Sequence, residues 1–352
     1  MIMAQNTKPL VLVTGGSGFI GAHCILALLH TDSYRIRTTV RSLSKSESVR
    51  TQLKVGGATE EAAASVEFAE VDLLKDKGWD AACEGCTHVL HVASPFPPKA
   101  PTNEDELIIP AKEGTLRALR GARKAGVRRV VVTSSVAAIA YGHDNVQRPF
   151  TEEDWSNVDA AIPAYPKSKT LAERAAWDYM KEQGGDMELA VVNPVAVYGP
   201  ILGKEQYSTS VELIVRLMNG QMPAVPDIAF GVVDVRDVAD LHLRAMTDPT
   251  ASGQRFIATA GDGSMKVIDI AKTLKERLGS QANSVPTRIA PHFLVRILGM
   301  FDSTVKMIVP ELGKQKFTSN KKAIEILGWQ PKSPEDSVVS TAESLIRLKM
   351  VK

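Results

Sequence analysis

Residues 10–21 of this chain read LVLVTGGSGFIG, and that stretch restricts the fold more than any other feature. LVLVT is apolar without polar alternation, as a strand buried on both faces should be. Gly15, Gly18 and Gly21 follow at intervals of three, and a helical pattern begins among them. Gly15 permits a tight turn, Gly18 lets the backbone approach a pyrophosphate, and Gly21 lets helix and strand pack closely. The N-terminus of such a helix offers unpaired N–H groups and a partial positive charge to phosphates. Glycines also serve ordinary turns, but between a strand and a helix this spacing points to a dinucleotide.

The first two-thirds of the chain repeats the same alternation. Strands are expected near 10–14, 34–40, 66–72, 88–93, 128–134 and 187–193, with helices near 19–30, 105–125 and 165–183. Strands that alternate with helices build a parallel sheet covered on both faces, so the fold class is α/β, a Rossmann doubly wound sheet. After Pro194 proline and glycine become frequent, and helices are expected near 265–278, 291–301, 319–327 and 334–348. No low-complexity linker intervenes. Residues 1–193 are therefore read as mainly the dinucleotide-binding domain, and 194–352 as mainly a smaller substrate-binding cap with some return of the chain to the sheet.

Composition narrows the class of protein. Lys plus Arg number 42 against 40 Asp plus Glu, which gives no electrostatic reason to expect nucleic acid or a membrane surface as partner. The basic run from Arg120 to Arg129 is read as the solvated end of a helix entering a strand. The start, MIMAQNTKP, is too short and polar for a signal peptide, and three cysteines cannot make a disulfide framework, so a cytoplasmic location is expected. Cys83, Cys86, His88 and His91 lie close together. In a strand His88 and His91 would face opposite sides, so no metal site is expected.

The end of the second strand bears on which dinucleotide is bound. An NAD site places a carboxylate about 20 residues past the glycines to hold the ribose 2′-hydroxyl. Here the segment is RTTVRSLSK, with Arg37, Arg41 and Lys45 and no carboxylate. Guanidinium groups suit the 2′-phosphate of NADP(H).

YPKSK places Tyr165 and Lys169 four residues apart, on one face of a helix. A free phenol titrates near about 10, and a neighbouring ammonium is a means of adjusting it for proton transfer. Ser134 and Ser135 end the strand VVVTS, at the edge where open α/β sheets bind ligands. A hydroxyl there can hydrogen-bond a substrate oxygen; it can equally cap a helix. Ser135 is read as the functional serine and Ser134 as structural.

TGGSGFIG, HVAS, VTSS, YPKSKTLAERAAWDY, NPVAVYGP and LGWQP together resemble the extended short-chain dehydrogenase/reductase family, over about residues 9–348. The resemblance is closest to the dihydroflavonol 4-reductase-like branch, which includes microbial aldehyde and ketone reductases. It implies a phosphate loop of Gly15, Gly18, Phe19, Ile20 and Gly21, with 2′-phosphate contacts from Arg41, Lys45 and Arg37. It further implies Asp72 and Leu73 at the adenine, Val92, Ala93 and Ser94 beside the nicotinamide ribose, and Pro194 and Val197 at the nicotinamide. Ser135, Tyr165 and Lys169 would be the catalytic triad. Plant flavonoid reductases differ from AAIAYGHDN at 137–145, and AIPAYPK stands where cinnamoyl-CoA reductases carry NWYCY. FTEEDW at 150–155 is more similar to microbial members.

The expected reaction is NADPH-dependent reduction of an aldehyde or ketone. A nucleotide-sugar epimerase or dehydratase on the same fold is one alternative; a cofactor-sensing protein without turnover is the other. Phe96, Val136, Ile201, Leu202 and Tyr207 are the expected substrate-binding residues, largely apolar and suited to an uncharged carbonyl compound. A monomer or homodimer is expected.

Overall fold

β1 (Leu10–Thr14) is buried along its whole length, and its side chains divide between the two faces of a sheet. Val11 and Val13 join one hydrophobic cluster, and Leu10 and Leu12 join another, the alternation that a strand imposes. The computed structural model describes residues 8–95, 103–143, 146–204, 206, 208–301, 305 and 308–351. β1 is followed by β2 (Arg35–Val40), β3 (Glu67–Glu70), β4 (Cys86–His91), β5 (Arg129–Thr133) and β6 (Glu188–Pro194). Then come β7 (Ala196–Tyr198), β8 (Ala229–Phe230), β9 (Val232–Asp234), β10 (Arg255–Ala258) and β11 (Met265–Lys266).

Seven strands form one parallel sheet in the order β10-β6-β5-β4-β1-β2-β3. The chain runs outward from β1 through β2 and β3, then crosses back to lay β4 on the other side of β1. The direction of winding therefore reverses between β1 and β4, and a crevice opens beyond their C-terminal ends, where such sheets take ligands.

Helices Phe19–Thr31 and Val235–Thr247 cover one face, with Ala22, Ile25 and Leu28 packed in the same cluster as Val238, Leu241 and Ala245. Helices Asp105–Lys124 and Ala164–Gln183 cover the other through Ala118, Leu119, Ala122, Ala176 and Tyr179. A further core joins the helices Thr209–Met218, Val267–Leu278 and Pro334–Arg347, and it reaches the glycine loop through Phe19.

All six strands expected from the sequence are present. The seventh, β10, pairs with β6 at the edge of the sheet and returns the later chain to the first layer. The helices expected after Pro194 begin near 265, and Thr209–Met218 and Val235–Thr247 precede them. Their apolar residues keep helical spacing, which the prolines and glycines around them obscure. LGWQP is a structural anchor: Trp329 is fully buried and donates its indole N–H to the Asp237 carbonyl at 2.9 Å.

The close packing of the first helix on β1 rests on Gly21. A Cβ there would lie 2.3 Å from the Gly15 carbonyl oxygen, a backbone atom that cannot swing aside. Gly21→Ala should therefore lower stability by about 1–3 kcal/mol, as overpacking does. At Gly18 the nearest obstacle is the same oxygen at 3.2 Å, so Gly18→Ala should cost less. Urea denaturation of both variants checks this order.

Candidate active site

The glycine loop leads from β1 into the helix Phe19–Thr31. Gly15 has φ +74°, and a Cβ on it would lie 3.0 Å from Ala93 Cα, so this turn presses against the segment after β4. The Gly18 N–H donates to the Gly15 carbonyl at 2.9 Å. Gly18 occupies the N-cap position with no side-chain cap, and the first turn holds no acidic residue. The side of Gly18 that a Cβ would occupy is open apart from Gly15 O. An uncapped, positively polarised helix end beside an open backbone fits a pyrophosphate. Phe19 is buried and Ile20 half-buried behind the loop.

Beyond β2, Arg41 and Lys45 are exposed on the segment that follows the strand. Arg37 lies elsewhere. Its guanidinium bonds Glu67 at 2.8 and 3.1 Å, and the Ala82 and Glu84 carbonyls at 3.1 and 2.8 Å. These partners sit where β3 and β4 begin, at the edge opposite the glycine loop. The expectation of a 2′-phosphate contact from Arg37 is thereby corrected: the ladder holds the side chain at the wrong end of the sheet. Asp72 caps its own turn by accepting from the Leu74 N–H at 3.0 Å, and Leu73 packs against Gly114.

Tyr165 and Lys169 lie in the first two turns of the helix Ala164–Gln183, with Lys169 Nζ 5.9 Å from the Tyr165 ring centre. Lys169 is buried and donates to Ser94 Oγ at 2.9 Å. Burial lowers its pKa to about 8, against an opposing attraction from Glu173. Burial raises the Tyr165 phenol above its usual range, while a hydrogen bond with Ser135 pulls it down. Ser135 combines a helix-capping role with a contact to the Tyr165 phenol. Its hydroxyl reaches Tyr165, and it also caps a short helical turn by accepting from the Ala137 N–H at 3.1 Å. Ser94, Ser135, Tyr165 and Lys169 thus converge at the C-terminal edge of β4 and β5.

A second set of buried polar groups supports the first, and sequence reasoning missed it. Ser134 Oγ donates to Glu173 Oε2 at 2.5 Å. Asn193 donates to the same oxygen at 2.8 Å and to the Ser135 carbonyl at 3.2 Å. Thr14 Oγ1 accepts from the Ala93 N–H and lies 3.0 Å from His91 Nδ1, which ties β1 to the segment after β4. A cavity of about 10 Å³, lined by His91, Ser94, Ser134, Lys169 and Glu173, has room for one water. These partners are far apart in sequence, and only the helical spacing of Glu173 behind Lys169 could have drawn attention to it.

On the substrate side, Val136 is half-buried and packs with Ile139, Phe150 and Ile257. Pro194 is buried and Val197 half-buried. Ile201 and Leu202 are buried core residues, with N–H groups bonded to Ser344 Oγ and Gln206 Oε1. Both were expected to bind substrate; their side chains lie instead within the hydrophobic clusters of the core. Phe96 and Tyr207 lie outside the described residues. Tyr141, not anticipated, carries Lys316 Nζ 3.9 Å above its ring, and Lys316 pairs with Glu311. Among the described residues no group of three or more metal-ligating side chains converges. Burial pushes Cys83 and Cys86 up to about 12 and about 11, away from thiolate reactivity. No described helix is long and apolar enough to cross a membrane.

Residues 11–258 match the model of the NAD dependent epimerase/dehydratase family. The chain is similar to the cinnamoyl-CoA reductase CAD2 of Medicago truncatula, 32% identical over 332 residues, or 90% of this chain and 99% of that one. It is 31% identical over 281 residues to dihydroflavonol 4-reductase of Zea mays, which covers 77% and 75% of the two chains. Among solved structures it is similar to yeast methylglyoxal/isovaleraldehyde reductase Gre2 complexed with NADPH. That likeness has a TM-score of 0.77 and 27% identity, over 97% of this chain and 99% of the other.

Three histidines are held neutral around the site and its supports. Burial lowers His91 to about 3, and His23 and His242 to about 4. In the unfolded chain each takes a proton below about pH 6.5. Their stabilising contribution is thus full above that pH and is lost as pH falls. Each should contribute a slope of about 1.4 kcal/mol per pH unit between about pH 6 and 5. Urea titrations across this range check it, and a flat profile would show these rings to be charged in the folded protein.

Proposed function

The chain belongs to the NAD dependent epimerase/dehydratase family, and from that premise we propose that it reduces an uncharged aldehyde or ketone to the alcohol with a Ser135–Tyr165–Lys169 triad. It is an NADP-dependent oxidoreductase, as its reductase relatives and the NADPH-bound Gre2 structure indicate. The single observation that carries the triad is the meeting of Tyr165, Ser135 and buried Lys169 at the sheet edge onto which the glycine loop opens.

When bound, NADPH supplies a hydride for the carbonyl carbon. Gly15, Gly18, Phe19, Ile20 and Gly21 would hold its pyrophosphate, and Arg41 with Lys45 its 2′-phosphate. Asp72 and Leu73 would flank the adenine; Val92, Ala93 and Ser94 the ribose; Pro194 and Val197 the nicotinamide. Residues 1–193 mainly bind the cofactor, and 194–352 mainly close the substrate side.

Tyr165 gives its proton to the substrate oxygen as charge develops there. Its raised pKa keeps the phenol protonated through neutral pH, which suits an acid. Ser135 hydrogen-bonds the same oxygen and shares its charge. Lys169 sets the field around the phenol from one helical turn away. Apolar Val136 and the Tyr141 ring, with Lys316 already neutralised by Glu311, favour an uncharged substrate over an anionic one.

Tyr165→Phe should lower kcat at least about a hundredfold, the low end of general-acid contributions. NADPH affinity, followed by fluorescence titration, should stay nearly unchanged. A variant that keeps most of its turnover over an aldehyde panel would refute the assignment. Arg41→Ala should weaken NADPH about tenfold, the low end for a charged hydrogen bond at an exposed site, and leave NADH binding almost unaltered. Equal losses for both cofactors would show that Arg41 does not read the 2′-phosphate.

A further inference from the structure

One buried acid in this region has no part in the chemistry above. Glu173 follows Lys169 by one helical turn on the same face of its helix, and its side chain has no exposed surface. The carboxylate collects donors from four elements. Ser134 Oγ comes from the end of β5 at 2.5 Å, and Asn193 Nδ2 from β6 at 2.8 Å. Arg255 Nε comes from β10 at 2.5 Å, and Trp177 Nε1 from the same helix at 3.4 Å. Asn193 also donates to the Ser135 carbonyl, so the serine turn hangs from Glu173 by two routes. Glu173 and Lys169 line the same small cavity.

We propose that Glu173 is a positioning residue, whose buried carboxylate fixes the Ser134–Ser135 turn and serves as counter-charge to the Lys169 ammonium. This rests on the assignment of Tyr165, Ser135 and Lys169 above. Stability alone is a poor reason for a buried ion pair, since desolvation cancels most of its attraction. A negative field on Lys169, in contrast, is something that no neutral side chain supplies. Arg255 pairs directly with Glu173 Oε1 and offsets part of that field, while its guanidinium is also shared with acceptors beyond the carboxylate. Its Nη1 donates to the Glu152 and Asp154 carbonyls, and its guanidinium lies 3.8 Å over the Trp155 ring.

The groups facing Lys169 are few. Its own helix supplies Tyr165 and Glu173; the β4 side supplies neutral His91 and the Ser94 hydroxyl; the helix Asp105–Lys124 lines the cavity with Ala111 and Thr115. Among these described residues Glu173 is the one that raises the proton affinity of Lys169, opposing burial.

The test is the pH dependence of kcat in the full-length, NADPH-saturated enzyme with Glu173→Gln, which keeps shape and removes charge. The alkaline limb should move about one unit to lower pH, the low end for loss of an adjacent opposite charge. Starting from about 8, that gives a loss of about eightfold at pH 8.5 and under about twofold at pH 6.5. The double variant E173Q/R255M removes both buried charges together, so it tests the same point if E173Q alone does not fold. Its limb should move in the same direction by a smaller amount, because the Arg255 cation that opposes Glu173 is removed with it. A folded variant whose profile superimposes on the parent overturns the proposal, and so does insolubility of both variants, which would assign Glu173 to folding. Tyr165→Phe, measured in parallel, separates the two readings. If it keeps its turnover, the catalytic assignment itself is wrong; if it is inactive while E173Q is unshifted, only the role of Glu173 is lost.

Discussion

The contact between Gly21 and the Gly15 carbonyl is the constraint on which the rest of the site depends. Without a side chain at residue 21, the helix Phe19–Thr31 lies hard against β1 and directs its open N-terminus at the C-terminal edge of the sheet. The same edge receives Ala93, because Gly15 turns against it, and Thr14 binds both the Ala93 N–H and His91. Placement of the Gly15–Gly21 loop and of the segment 92–95 is therefore one event. Ser94 then meets Lys169, and the helix Ala164–Gln183 is set against the cofactor edge by a buried ammonium.

Two buried arginines show how the sheet distributes cost and purpose. Arg129 opens β5 at the edge away from the site, pairing with Glu188 and bonding the carbonyls of Ala245 and Met246. It closes the end of the helix Val235–Thr247, whose last carbonyls would otherwise lack partners. Arg255, on β10, serves the opposite edge through Glu173. Taking the Arg255–Glu173 pair out of water costs several kcal/mol per ion, by order of magnitude about as much as the pairing returns. Removing one partner is a different matter, at about 3–5 kcal/mol, because a bare charge is left behind. Arg255 is therefore not read well as a stabiliser. Each arginine fixes where one strand stands relative to one helix.

The fold was largely readable in the sequence because its decisive features are local. LVLVT, the three glycines and the Tyr165–Lys169 spacing each lie within a few residues, and strand and helix periods interpret them directly. What escaped depends on partners distant in the chain. Glu173 reaches back 39 residues to Ser134 and forward 82 to Arg255. β10 is four residues long, too short to show a period of its own. Arg37 looked like a phosphate ligand because its charge is visible in sequence, whereas the Glu67 that captures it is set by the register of β2 on β3. Ile201 and Leu202 are apolar enough for a pocket and equally apolar enough for a core, and the packing of Pro334–Arg347 decides for the core at Ile201.

Burial acts on Tyr165 and Lys169 together but in opposite senses. It disfavours the phenolate and so raises the phenol; it disfavours the ammonium and so lowers the amine to about 8. Two groups with nearly equal ordinary pKa values are thereby separated, with the tyrosine the tighter holder of its proton. At neutral pH the protein thus presents a protonated phenol beside an ammonium that is still largely charged. In the proposed reaction that is the state suited to reduction, since an incipient alkoxide is more basic than any phenolate. The hydrogen bond from Ser135 and the field of Lys169 then act on the anion left behind, which limits how far burial can hold the phenol from giving its proton up. Desolvation supplies the acid, and the polar neighbours make the acid usable.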